Sequence, residues 1–503
     1  MKKNKFYITT AIPYVNADPH VGFAMELVET DVLARYHRQI GDDVRFLTGS
    51  DENALKNVRK AEQAGTPIKE FIDDKVQELL KLVQKLNLSN DDFIRTTEER
   101  HIRSSQKLWQ ACVAAGDIYK KKYTGLYCIG CEEFKTPKEL IDDKCPEHRR
   151  YELEKVEEEN YFFKLSNYQE KLGQLLDSGE LEILPEKRKN EIREFVRQGL
   201  SDFSISRSAT RAKGWGIPVP GDDSQVIYVW FDALVNYISA LGYDSESELF
   251  KKYWQENDQR CHVVGKGITR FHAIYWPAML LSAGLKPPSK IYVHGYATIN
   301  GEKISKSVGD NSTNPFTFIE KYGADVLRYF LLREIPSTDD GDFSEEKLVA
   351  RYNGDLANGL GNLVARVATL LDNNFSEGLE YNKNLIDPAT ISAIDKMQNS
   401  YRTSMENFKL HEALIAIWEL ISCADKYAND TKPWVLIKED VEKFKIVMIN
   451  LVEIIYQTTK ALEPFMSETA DKISIIFDFK KEEAGLEGRR LKVQKGTVLF
   501  PRL

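Results

Sequence analysis

The chain is poor in cysteine: six thiols in 503 residues do not make the disulfide scaffold of a small secreted protein. It has no run of about 18 apolar residues, which argues against a membrane span and a membrane partner. Positive charge is not in excess either. Lys and Arg number 69 against 77 Asp and Glu, a formal charge of −8, which argues against indiscriminate nucleic-acid binding through a uniformly basic surface and leaves room for a local RNA-binding patch. Internal repeats and low-complexity tracts are also lacking. The start, MKKNKFYITTAIPYVNA, sets two lysines before an apolar stretch as a signal peptide does, but threonines and Pro13 interrupt it. It reads as a first β-strand running into a loop, and a cytoplasmic protein is expected.

What is present describes an ordinary globular chain, 42% apolar and 29% charged. Its length exceeds one core, and roughly three domains are expected. The first hundred residues alternate: KFYITTAI is strand-like, MELVETDVLARYHRQIG is an amphipathic helix stopped by Gly41, and DVRFLTGSD is a strand ending in an acidic turn. Such alternation predicts an α/β fold with a doubly wound parallel sheet, ligands lying at the carboxyl ends of its strands, where His20 and Asp51 fall. From about Tyr119 the texture changes to charged segments and a cysteine cluster, read as an insertion. Strand and helix signals resume with QVIYVWFDALVNYISALG, CHVVGKGI, HAIYWPAMLLSAG and KIYVHGYATI, which are expected to complete the sheet. Beyond Glu346, Leu356, Leu360, Leu363, Val367, Leu370 and Leu371 make one stripe at helical spacing, and Leu410, Leu414, Ile417, Ile421 and Ala424 another. A C-terminal α-helical bundle is expected there.

Three constellations carry chemistry. ADPHVGF sets His20 and Gly22 at a loop leading into a helix, where unpaired backbone N–H groups and the helix dipole favour phosphate and a residue without a side chain admits close approach. INGEKISKS holds Lys303 and Lys306 among small hydroxyl residues, a pair of ammonium groups able to converge on a polyphosphate. YCIGC and CPEH give Cys128, Cys131, Cys145 and His148, three thiolates and an imidazole suited to one tetrahedral structural Zn²⁺ with no position left open for water.

HVGF near the N-terminus and KISKS about 280 residues later resemble the His-Ile-Gly-His and Lys-Met-Ser-Lys-Ser signatures of class I aminoacyl-tRNA synthetases. The cysteine knuckle, DFSISR, WGIPVPGD, YVWFDAL, FHAIYWPAML, HGY and YGADVLRYFLLREIPSTDDGDFSEE extend the resemblance over nearly the whole chain, to the methionyl-tRNA synthetases. That resemblance implies a Rossmann-type sheet with a zinc-knuckle insertion and a helical anticodon-binding bundle. It implies a catalytic domain in two halves, 1–118 and 223–298, an insertion over 119–222 with its knuckle near 124–155, a lysine-loop and stem-contact region over 299–350, and the bundle over 351–503. The implied activity is methionine–tRNA ligation, through methionyl-adenylate, with L-methionine, ATP and its Mg²⁺, and tRNA(Met) as partners. The catalytic residues would be His20, Lys303 and Lys306. ATP would also meet Gly22, Phe23, Gly265, His272 and Ser305. Methionine would lie among Ile12, Tyr14, Val229, Trp230, Ala233, Tyr237, Ile268, Phe271, His272 and Trp276, its ammonium group held by Asp51. An unbranched thioether offers no charge to read, so a close-fitting apolar and aromatic slot is the physical requirement. In the bundle, Asn362 and Arg366 lie four apart and off the leucine stripe, facing solvent, and Trp434 offers a stacking surface for an anticodon base.

Three positions depart from the family's commonest pattern: Phe23 and Asn53 stand where histidine is usual, and Gly267 where many members place an aspartate near the ribose. A coherent variant site is expected, the rival being a catalytically impaired, tRNA-binding regulatory protein. Other class I synthetases fit less well: the leucine, isoleucine and valine enzymes usually carry a larger editing insertion, and the cysteine enzymes use zinc within the amino-acid pocket. The chain ends at VLFPRL without the dimerising domain appended in some relatives, so a monomer is expected.

Overall fold

The computed structural model describes residues 3–128, 130, 133–135, 140–146, 152–299, 301–303, 313–375, 377–479, 485–494 and 498–503. Two compact units emerge, one of residues 1–19, 40–84 and 88–294, the other of 20–39, 85–87 and 295–503. Among the described residues no helix is long and apolar enough to cross a membrane.

The first unit is built on six parallel strands: β1 (Lys5–Thr10), β2 (Asp43–Ser50), β3 (Asp92–Arg95), β4 (Glu182–Leu184), β5 (Arg260–Gly265) and β6 (Lys290–His294). Their spatial order is β3-β2-β1-β5-β6-β4. The chain steps outward from β1 through β2 to β3, then returns to the other side of β1. Strand order therefore reverses between β1 and β5, and loops leaving their carboxyl ends diverge there to open a crevice. β5 is buried along its full length, as a strand inside a parallel sheet must be. One core of this unit gathers Leu47 and Ile94 from the sheet, Leu108 and Trp109 from the helix Glu99–Ala114, and Trp276 and Met279 from the segment after β5.

Two expectations about the sheet need correction. QVIYVW does not enter it: Asp222–Ile227 pairs antiparallel with Ser206–Ser208 and with Pro218–Val219, and the following residues turn into a short helix, Val229–Leu234. The sheet instead takes β4, three residues from the stretch read as insertion, paired with β6. β-Branched and aromatic content marks a strand but not the sheet it joins, and three residues are too few to show a period. The insertion's own sheet is antiparallel, with Ile118–Cys128 lying between Glu133–Lys135 and Glu154–Phe163.

The second unit is largely helical: α1 (Val21–Gln39), α2 (Ala324–Glu334), α3 (Asn362–Asn374), α4 (Pro388–Glu406), α5 (Leu410–Thr431) and α6 (Val441–Leu462). Leu356, Leu360, Leu363, Val367 and Leu371 are buried, as are all five residues of the second stripe. α4 packs along α5, and α5 and α3 pack on α6. Leu370, at the margin of its stripe, is only half-buried.

Candidate active site

The carboxyl ends of β1, β2 and β5 deliver the apolar cluster. Ile12 and Tyr14 follow β1, and Asp51, directly after β2, bridges to Tyr14 and donates its backbone N–H to the Pro13 carbonyl at 2.9 Å. Trp230 stacks flat on Phe271, ring centroids 3.8 Å apart, and meets Tyr14 edge-on at 6.3 Å. Val229, Trp230 and Ala233 share the helix Val229–Leu234. Phe271–Tyr275 forms a π-type turn, common at functional sites, that runs into the helix bearing Trp276. Ile12, Trp230 and Ile268 pack, half-exposed, on a core that contains Tyr237, Phe271 and Trp276. Gly265 ends β5, and Gly267 lies exposed in the turn after it.

Hydrogen bonds fix the buried end. His272 Nδ1 lies 3.0 Å from the Ile268 carbonyl, which can only accept, so this nitrogen carries the proton and Nε2 accepts from the Tyr237 hydroxyl at 2.7 Å. Burial agrees with a neutral ring, pulling the His272 pKa down to about 4.

A second network holds the acidic turn. Asn57 Nδ2 donates to the carbonyls of Asp51 and Glu52, and Trp215 Nε1 donates to that of Glu52. Asn53 donates its amide to Asp232 Oδ2 at 2.7 Å and to the Thr96 carbonyl at 3.2 Å. Asp232 in turn meets His101 Nε2 at 2.5 Å, both fully buried. The turn after β2 is thereby tied to the helix that bears Trp230. Sequence reading missed Asp232 and His101: the only signal of Asp232 was a charge inside the apolar run YVWFDALV, and His101, in the charged stretch TTEERHIRSSQ, gave none.

The first signature belongs to the second unit. The Phe23 N–H donates to the His20 carbonyl at 2.9 Å and also faces His20 Nδ1 at 3.3 Å, a shared contact that suits the tautomer with its proton on Nε2. A Cβ built at Gly22 would sit 3.1 Å from the His20 ring and 3.9 Å from Ala297 Cβ. The space freed by this glycine is thus taken by the imidazole. Strand Ala297–Ile299 contacts α1 and pairs in a hairpin with Glu302–Lys303 across Gly301, whose φ of +77° suits glycine. Asp342 steadies that hairpin through the Gly301 N–H at 3.1 Å and the Thr298 hydroxyl at 3.2 Å. The backbone of Lys303 is therefore placed beside the His20 segment; Ser305 and Lys306 lie outside the described residues.

In the bundle, Asn362 is exposed on α3. The Arg366 guanidinium lies 5.4 Å from the ring centre of Trp434, which is 44% exposed, and donates to Asn429 at 3.2 Å. Of the knuckle residues, Cys128 and Cys145 are fully buried thiols, and Ile141 and Lys144 form a tight hairpin just before Cys145. Cys131 and His148 lie outside the described residues, and among the described ones no three metal donors converge.

A parallel sheet with an apolar and aromatic cluster at the carboxyl ends of its strands, followed by a helical bundle, has the architecture of the class I tRNA synthetases, and the family model for "tRNA synthetases class I (M)" matches residues 6–154 and 137–368. The methionine–tRNA ligase of Thermotoga maritima is 42% identical over 98% of this chain and 79% of its own length. That of Brucella suis is 43% identical over 94% and 92%. Mycobacterium tuberculosis methionyl-tRNA synthetase in complex with methionyl-adenylate superposes with a TM-score of 0.93 at 38% identity, covering 99% of this chain and 100% of that one. Its apo form gives 0.86 at 35% identity, covering 100% and 99%. The chain belongs to the methionyl-tRNA synthetases, and its activity is that of a methionine–tRNA ligase.

Proposed function

We propose that methionine is activated in the slot lined by Ile12, Tyr14, Trp230, Tyr237, Phe271 and Trp276, with Asp51 taking its ammonium group. The carrying observation is the stacked Trp230–Phe271 pair, met edge-on by Tyr14, whose backbone bridges to that of Asp51 at the carboxyl end of β2. The methionine carboxylate attacks the α-phosphorus of ATP in line, forming the mixed anhydride and releasing pyrophosphate. His20 offers Nε2–H to the phosphates, and Lys303 and Lys306 supply positive charge where the leaving group gains negative charge. Mg²⁺ bound with ATP shares that charge. The 3′-terminal hydroxyl of tRNA(Met) then attacks the anhydride, giving the ester and AMP. Positioning and electrostatics carry both steps without a covalent enzyme intermediate.

Around this centre the reading assigns 1–118 and 223–298 to catalysis, 119–222 to the insertion, 299–350 to the lysine loop and stem contact, and 351–503 to the anticodon. Asn362 and Arg366 would hydrogen-bond anticodon base edges, and Trp434 would stack on one. The exposure of Asn362 and Trp434 supports this. Cys128, Cys131, Cys145 and His148 would hold a structural Zn²⁺, a reading supported by the burial of both described thiols. The enzyme is read as a cytoplasmic monomer.

Phe23, Asn53 and Gly267 belong to a working variant of the site. The support is that Asn53 already donates the hydrogen bond to Asp232 that an imidazole at this position would donate. Asn53→Ala removes that donor from a buried carboxylate, and the KM for methionine is expected to rise about tenfold, consistent with an unmet hydrogen bond. Asn53→His should restore it. Steady-state kinetics at saturating ATP check both variants; equal KM in wild type and Asn53→Ala would detach Asn53 from the slot.

Methionine-dependent exchange of labelled pyrophosphate into ATP tests the reading as a whole. Exchange followed by methionine transfer to tRNA(Met) is expected. Bound tRNA with no exchange would make the chain a regulatory relative.

A further inference from the structure

One histidine has no place in the chemistry above, yet touches the slot's two deepest rings. His262 is fully buried in β5, between the apolar residues Cys261 and Val263. Its ring stacks on that of Tyr237, centroids 4.0 Å apart and planes 28° from parallel. Its Nε2 receives the Trp276 indole N–H at 3.2 Å, and its Nδ1 lies 2.9 Å from the Thr9 hydroxyl. An indole N–H can only donate, so Nε2 must be bare and the proton of the neutral ring sits on Nδ1, pointed at Thr9. Burial keeps the ring neutral by pushing its pKa well below the ordinary histidine value. Trp276, which can only donate, therefore sets the tautomer, and the Thr9 hydroxyl accepts the Nδ1 proton.

We propose that His262 is a positioning residue that sets the selectivity of the methionine slot, holding Trp276 by a hydrogen bond and Tyr237 by stacking so that neither ring can retreat from the substrate. This rests on the assignment of those two rings to the methionine slot. Tyr237 is pinned twice more: its hydroxyl donates to His272 at 2.7 Å and its carbonyl accepts from the Tyr7 hydroxyl at 2.7 Å. Trp276, a fully buried side chain, has His262 as the acceptor for its N–H. The physical need is plain. An apolar slot discriminates one methylene by only about 1–3 kcal/mol, and a wall that yields loses even that. A phenylalanine or leucine at 262 would fill space but leave the indole N–H buried without an acceptor, so the tryptophan would shift to find one.

The test compares methionine with ethionine, one methylene longer, in pyrophosphate exchange, with rates expressed per active site titrated by adenylate formation. In His262→Leu the methionine-to-ethionine ratio of kcat/KM is expected to fall about tenfold, with the KM for ATP within about twofold of wild type. His262→Gln, whose amide offers both an acceptor and a donor, should keep the ratio within about threefold of wild type. In a Trp276→Phe background, which lacks the N–H, His262→Leu should move it by no more than about threefold, the share left to the lost stacking on Tyr237. If His262→Leu does not fold, Thr9→Val decides, because it strips the buried Nδ1 proton of its acceptor without adding bulk and so loosens the ring that holds Trp276, and a fall of about threefold is expected. An unchanged ratio in His262→Leu, with the loss confined to the number of titratable sites, overturns the proposal and leaves His262 a folding residue. So does an unchanged ratio in Thr9→Val where that variant decides. A wild-type enzyme without methionine-dependent exchange would instead overturn the slot assignment itself.

Discussion

Lys306→Ala is expected to slow adenylate formation by about 10²-fold or more while leaving methionine affinity nearly unchanged. The reasoning begins with where charge moves. As the bond from the α-phosphorus to the bridging oxygen breaks, negative charge builds on the departing pyrophosphate, and an ammonium group held there lowers the barrier more than it strengthens the ground state. A factor of 10² corresponds to about 2.7 kcal/mol, a reasonable loss for one charge-assisted contact in a site closed to water. The support comes from the loop's base: hairpin Ala297–Ile299 and Glu302–Lys303 is fastened to Asp342 and lies beside the His20 segment. Methionine affinity should hold, because the proposed slot is built from a different set of residues. Exchange kinetics and intrinsic tryptophan fluorescence on methionine titration measure the two quantities separately. An exchange rate equal to wild type would remove Lys306 from the mechanism, and a matching loss of methionine binding would make it a structural residue.

Much of the fold was legible because local pattern and tertiary role coincide. KFYITT and DVRFLTGS are strands, and the helix stopped by Gly41 runs from Val21 to Gln39, with φ at Gly41 of +95°. The second leucine stripe is buried on α5 because a 3.6-residue period has one meaning in a helix longer than three turns, and the first keeps its buried face although Leu356 and Leu360 lie in the π-type segment Tyr352–Gly361 that runs into α3. β4 was illegible for the converse reason: three residues carry no period, and their place comes from pairing with β6. QVIYVW gave a true strand signal and a false address. The family signatures were readable because they keep fixed residue types at fixed spacing, and the family they point to is the one the chain belongs to. Their supports were not. His101 finds Asp232 across 131 residues and Thr9 finds His262 across 253, and no local window records that a buried group has a partner so distant.

The same distance effect hides the ion pair with the largest expected effect on stability. Arg328→Leu should destabilise the second unit by about 3–5 kcal/mol. Arg328, on α2, is 1% exposed and donates to Asp31 of α1 at 2.8 Å; Asp31 is wholly buried. Its other donors reach the carbonyls of Phe465 at 2.8 Å, Pro464 at 3.0 Å and Leu86 at 3.2 Å. One guanidinium thus joins the helix that begins beside His20 to the turn after α6, and its loss would take a donor from each of these oxygens. Asp31 keeps Arg35 at 2.7 Å, so the residual charge is partly met and the lower half of the range is favoured. Urea unfolding of the full chain, followed by a probe in the second unit, measures the change, since two units need not unfold together. The sharper expectation concerns the pair. Removing both charges in Asp31→Leu with Arg328→Leu should recover part of the loss, because a buried ion pair gains little over apolar packing while a lone buried charge is costly. Recovery should stop short of wild type, because three carbonyls remain without their donor. If the double variant were less stable than wild type by the sum of the two single losses, the two residues would be acting independently, and the contact between α1 and α2 would owe its stability to the surrounding apolar packing.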